Sequence, residues 1–384
     1  MTGGRFAVGD PLRAVAALSV LVYHVALGVG IFRGAENTVP GGAFEPQGLA
    51  PAIEAATGHL DLGLYIFFVL SGYLIARPFV RAFVAGDPAP AVVPYARNRL
   101  LRILPAFWLV LTVLLVLNGT LGAPAREVLG TYAFAIAYID TPLINLAAQS
   151  WTLLVELVYY LLLPLVALAA TALLGRRAGA GARLALVAAG ALGLGLASLA
   201  WLNERPPDFH EPPASMWPFV PGILLAAVEI ELEPRLRGRA FWRWPAVALV
   251  AAGVALLALS TGLPGEHEVT RALLIAAGTG AVVAGPLLLQ WSTGGTWRVL
   301  DNRVAHWLGE RSYSIYLVHL GVIYMLRDLA TGPDDPEAGF WLLLAVAVPV
   351  TIAAAAVSYR LFELPFLRRR ARWRRRPAPA GSAP

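Results

Sequence analysis

Apolar runs of about 20 residues, the length that crosses a bilayer's hydrocarbon core, recur along almost all of this 384-residue chain. Inside hydrocarbon every backbone N–H and C=O must find its partner within the protein, so each run can only be a helix. Ten spans are expected, over residues 11–31, 59–80, 100–118, 151–174, 183–202, 217–232, 244–262, 269–291, 307–327 and 338–365. With 58% hydrophobic and only 14% charged residues, the chain is too apolar for a soluble protein of this size. The expected fold is all-α, a polytopic membrane bundle of about ten helices forming one domain over residues 1–367. A basic, disordered tail is expected over 368–384. No cleavable signal peptide is read, because the first apolar segment is long and carries Arg13 and His24.

Charge orients the bundle. All 30 basic residues are arginine. With the N-terminus inside, ten spans leave only Arg33, Arg126, Arg205, Arg271 and Arg327 outside and 25 arginines inside, as the positive-inside bias requires. Both termini are therefore expected in the cytoplasm. The segment 127–147, which carries Asp140, Pro142 and Asn145, is expected as an interfacial or re-entrant piece on the outer side. Counting it as a span would put the arginine clusters on opposite faces. Seven arginines within 368–376 read as an anchor beside anionic lipid rather than a nucleic-acid site.

Composition also removes chemistries. The absence of cysteine excludes disulfides, thiolate nucleophiles and Cys-ligated metals. His59, His210, His267 and His306 sit near loops or span ends with no metal-site spacing, so no metal is expected. No HxxxxD motif, GxSxG elbow, Walker A or GxGxxG loop occurs.

Ionisable groups within spans are costly and usually functional. Arg13 and His24 lie eleven residues apart in the first span. At 100° per residue they share a helix face, about 16 Å apart along the axis. Glu156 follows Trp151 by five residues in QSWTLLVELVYYLLLPL. Taking Trp151 as an outer-surface anchor, Glu156 and His24 fall at similar depth, about 8 and 12 Å down. They would meet if their helices are neighbours, and the carboxylate would then orient the imidazole as a general base. Arg97, Arg99 and Arg102 cluster at the inner end of the third span, where planar guanidiniums suit phosphate. Ser71 and Tyr73 in GLYIFFVLSGYLI, Trp151, and Tyr313, Tyr316 and His319 in ERSYSIYLVHL are candidate cavity-wall and substrate-binding residues. For Ser71 a packing role is the favoured reading, and for His319 a satisfied core histidine is an equally open one. Arg360 and Glu363, three apart, are expected to pair locally.

Six segments in order, LRAVAALSVLVYHV, GLYIFFVLSGYLI, RNRLLRILPAFW, SWTLLVELVYYLLLPL, GERSYSIYLVHL and SYRLFELPFL, resemble the acyltransferase 3 family of bacterial membrane acyltransferases. The resemblance implies an O-acyltransferase of the bacterial inner membrane. Such an enzyme moves an acyl group, commonly acetyl, from cytoplasmic acyl-CoA to a hydroxyl of a glycan, lipid-linked sugar or secondary-metabolite glycoside. The family's arginine–histidine pair maps onto Arg13 and His24, and its glutamate onto Glu156. Its basic motif maps onto Asn98, Arg99 and Arg102, where Asn98 departs from the usual arginine. Leu154 likewise replaces a usual serine. On this reading His24 acts as general base or transiently carries the acyl group, and Arg13 pairs with the CoA phosphates or polarises the thioester. The rival expectation is a proton-coupled transporter or flippase for a sugar or lipid, with His24 and Glu156 as the relay. Transporters commonly carry internal repeats, and none is visible.

Overall fold

The computed structural model describes residues 8–31, 50–135, 138, 143, 147–174, 178–204, 211–264, 267–330 and 336–368. Regular structure among them is helical, with no strand. The first half holds α1 (Gly9–Gly28), α2 (Ala50–Thr57), α3 (Gly63–Ala85), α4 (Val92–Leu117), α5 (Ala125–Tyr132), α6 (Ser150–Leu174) and α7 (Ala180–Asn203). The second holds α8 (Val220–Leu236), α9 (Arg243–Thr261), α10 (Glu268–Thr293), α11 (Arg303–Glu310), α12 (Ser312–Ala330) and α13 (Pro336–Ser358). A π-helical turn, Tyr359–Glu363, follows α13.

Nine helical segments among the described residues are long and apolar enough to cross a membrane. The expected ninth span, 307–327, departs from the other nine. It divides into the short α11 and the 19-residue α12. Three tyrosines, His319, Arg327 and Asp328 dilute the hydropathy of α12. It packs against α1, α4 and α13, so protein rather than lipid meets its polar groups. The peripheral α7 and α9 show the converse. Only 22% and 17% of their apolar windows are buried, and Leu196, Val254 and Leu259 face outward where lipid covers them. Of the expected outer piece, α5 is described, and it docks on α4 through Trp108 and Thr112 bonding Tyr132. Asp140, Pro142, Asn145, His210 and the tail beyond 368 lie outside the described residues.

The helices that hold the interior together meet through glycine. A Cβ on Gly72 would run into the Phe219 carbonyl, and one on Gly222 into the Val69 carbonyl and the Tyr73 amide. Such close approach is how apolar helices associate where the hydrophobic effect is absent. Gly222→Ala is expected to lower the melting temperature in detergent, with an overpacking cost on the order of 1–3 kcal/mol. Gly181→Ala, which meets nothing within 4 Å, serves as the control, and equal melting of the two variants would refute the packing argument. Below this crossing, the buried Glu229 of α8 receives Arg77 Nε and Nη2 at 2.6 and 2.5 Å and Arg81 Nη2 at 3.1 Å. At the start of α1, Asp10 pairs with Arg13 at 3.7 Å and with His306 of α11 at 3.6 Å. These contacts join helix ends that the charge bias assigns to one side of the membrane.

Candidate active site

One face of α1 carries Arg13 and His24, and each lines a different cavity. The inner cavity, about 70 Å³, is walled by Arg13, Ser71, Arg99, Arg102, Glu156 and Tyr160. The outer cavity, about 340 Å³, is walled by Tyr23, His24, Asp61, Tyr65, Trp151 and Trp217. Leu64 and Phe68 of α3 and Tyr316 of α12 line both, so they form the partition.

In the inner cavity three guanidiniums surround one carboxylate. Glu156 Oε1 accepts from Ser71 Oγ at 2.5 Å and also from the Tyr160 hydroxyl, one helical turn further on. The Arg99 guanidinium lies 5.6 and 5.8 Å from the centroids of Tyr160 and Tyr95, a cation–π arrangement. Arg102 acts electrostatically on Glu363 and Glu156. The Tyr313 hydroxyl is held away from the cavity centre by donating to the Ile103 carbonyl at 2.8 Å. The lining therefore carries more fixed positive than negative charge, which suits an anionic guest.

The outer cavity holds the imidazole of His24. His24 Nδ1 lies 2.8 Å from the Val20 carbonyl. A carbonyl only accepts, so Nδ1 carries the hydrogen and Nε2 keeps its lone pair. Tyr65 stacks on Trp217 at 5.2 Å and 26°, giving the cavity a flat aromatic wall. The partition is tied in place. Thr152 donates to the Gln149 carbonyl at 2.8 Å, so the Tyr316 hydroxyl, 2.8 Å from Thr152 Oγ1, is the donor in that pair. Gln149 in turn donates to the Leu317 carbonyl at 2.9 Å.

The expected His24–Glu156 pair does not form. The error is in the ruler: Trp151 is recessed in the wall of the outer cavity beside His24 rather than anchored at the surface. Glu156, five residues on, is about 7.5 Å deeper by helix rise and turns toward Ser71. The ring beside His24 is that of His319, with centroids 4.9 Å apart. Arg97 is exposed on α4 and lines neither cavity. Tyr73, 1% exposed, packs in the core near Arg77 and also lines neither. Glu363 accepts from Ser314 at 3.1 Å instead of pairing with Arg360. The π-helical turn displaces the spacing of three that would have put those two together.

A family model described as an acyltransferase domain matches residues 10–360, nearly the whole described bundle. This chain belongs to the acyltransferase 3 family. It is a membrane acyltransferase. Nodulation protein 10 of Rhizobium leguminosarum bv. viciae is 27% identical over 342 residues, covering 80% of this chain and 82% of that relative. No solved structure matches. The family's six ordered segments supply α1, α3, α4, α6, α12 and the turn after α13, the elements around the inner cavity. Asp61, Tyr65, Gln149, Thr152, Tyr160 and Trp217 also wall this acyltransferase's cavities, and sequence reasoning did not single them out. Tyr160 had a signal, since it lies four residues from Glu156 on the same helix face. Asp61, in a turn before α3, had none.

Proposed function

We propose that this acyltransferase moves an acyl group, acetyl in the first instance, from cytoplasmic acyl-CoA to a hydroxyl of a glycan, lipid-linked sugar or glycoside, in the bacterial inner membrane. The observation that carries the reading is the shared wall. A cation-rich cavity and an imidazole-bearing cavity meet at Leu64, Phe68 and Tyr316. A thioester arm entering from the cytoplasmic side and a hydroxyl entering from the outer side would meet at that wall. The inner cavity, about 70 Å³, takes only the reacting end of the donor, so the bulk of the donor stays in the cytoplasm. Aromatic faces such as Tyr65 and Trp217 suit the apolar face of a sugar ring, and Asp61 and Gln149 suit its hydroxyls.

In this mechanism His24 Nε2 takes the proton from the acceptor hydroxyl as its oxygen bonds to the thioester carbonyl carbon. The C–S bond breaks, the ester leaves toward the outer cavity, and the proton passes from His24 to the departing thiolate. Tyr316 is the hydroxyl at the partition, and in this mechanism its O–H turns from Thr152 to the developing oxyanion. Tyr316→Phe is expected to lower kcat roughly 10²-fold with little change in donor KM. An unchanged kcat would make Tyr316 a wall only.

The direct test uses purified protein in liposomes with acyl-labelled acyl-CoA and a panel of glycosides. Labelled ester and free CoA thiol should appear together in equal amounts. Glycoside uptake with no thiol release would overturn the reading in favour of a transporter.

A further inference from the structure

His319 is 1% exposed on α12, and the acyl-transfer steps above leave it without a task. Its Nδ1 lies 2.7 Å from the Tyr316 carbonyl, so that nitrogen carries the hydrogen. Its Nε2 is buried and has no hydrogen-bond partner. A buried acceptor left bare is a cost, and in native proteins it asks for an explanation. The neighbouring ring is His24, 4.9 Å away between centroids and tilted by 66°. His24 is locked in the same tautomer, by Val20. Each imidazole therefore presents a lone pair at Nε2, and two lone pairs cannot bond. One added proton would let them do so, once the rings turn to bring the two Nε2 atoms within reach.

We propose that His319 is a positioning residue that shares the proton His24 removes from the acceptor, a role that rests on His24 being the base. The acceptor O–H breaks and an N–H forms at His24 Nε2. That N–H then donates to His319 Nε2, converting an unsatisfied acceptor into a charge-assisted hydrogen bond. When the C–S bond has broken, the thiolate recovers the proton and both rings return to neutral. The carboxylate expected to steady the imidazolium is replaced by a second imidazole. That choice keeps the pair uncharged in the resting state, where a permanent ion beside His24 would be expensive within the membrane. Among the described residues, the other titratable groups around the pair are Tyr23, whose ring meets His24 edge-on at 5.1 Å, and Tyr316, 5.4 Å from His319. Asp61 and Tyr65 face His24 across the outer cavity. From α13, Phe340, Leu343 and Ala347 pack in an apolar cluster with Leu21 and Val25 of α1 and Ile323 of α12.

The test is the pH profile of kcat for His319→Phe, His319→Gln and Asp61→Asn, with His24→Ala as the control. A partner that accepts from the imidazolium raises the pH at which His24 loses its proton. Without it, the acid limb should move down by about one to two pH units, the worth of a charge-assisted hydrogen bond. The plateau should fall about 10²-fold, with donor KM unchanged. The carboxamide oxygen of His319→Gln can accept the same proton and should recover part of both effects, which a purely structural loss would not allow. Should His319→Phe fail to fold, the acid limb of His319→Gln decides alone. An acid limb that stays in place in the folded His319 variants, or one that moves instead in Asp61→Asn, would overturn the proposal while leaving His24 as the base. Full activity in His24→Ala would instead remove the reading beneath it.

Discussion

His24→Ala should insert and melt like the parent protein yet lose acyl transfer by about 10²- to 10⁴-fold, the range that a positioned general base contributes. The fold loses little, because the one hydrogen bond of His24 is to Val20 within its own helix, and that carbonyl keeps its helical partner. The chemistry loses its proton acceptor, because His319 is too deeply buried to meet a substrate. The chain has no cysteine to provide another nucleophile. Ser71, one of the hydroxyls that line the inner cavity, already donates to Glu156. It also faces the cavity that holds the carboxylate, not the one that holds the imidazole. The measurement is single-turnover ester formation in proteoliposomes at saturating donor. Wild-type turnover would end the case for His24 and return the outer cavity to a passive vestibule.

What the sequence made legible was whatever a bilayer enforces. Backbone satisfaction in hydrocarbon leaves helix as the one choice for each apolar run, so nine spans were readable from length and hydropathy. The face shared by Arg13 and His24 follows from helix geometry alone, and both residues do line the interior. Azimuth within a single helix was readable in principle where it was not applied. Ser71 and Tyr73, two apart, point about 200° apart, so Ser71 meets Glu156 while Tyr73 packs near Arg77. Depth across helices was not readable, because it depends on how far each helix slides along its neighbour. That slide is set by interhelical contacts, and it left Trp151, rather than Glu156, in the cavity of His24. The His24–His319 contact joins residues 295 positions apart (319 less 24) on α1 and α12, and nothing local announces it.

The arginines of the inner cavity separate into two kinds, and that separation predicts which variant will be informative. Arg102 acts on the buried Glu363 as well as on Glu156, so removing it leaves a buried carboxylate uncompensated and costs stability along with any binding. Arg99 rests on the faces of Tyr95 and Tyr160 and makes no ion pair among the described residues. Its charge acts on Glu156 but on no second carboxylate, so an incoming phosphate can neutralise it at less cost to the fold. Arg99→Gln should raise the KM for acyl-CoA roughly 10- to 100-fold, the worth of one lost charge-assisted hydrogen bond of about 1.5–3 kcal/mol. It should leave kcat nearly unchanged, as expected when the contact is equally strong in ground and transition states. The same substitution measured with an acyl-pantetheine donor, which lacks the phosphates, should show no change in KM. If KM rises equally for both donors, Arg99 acts on the thioester itself. If it rises for neither, the arginine serves only to orient α4 in the membrane, and the inner cavity loses its claim to the donor.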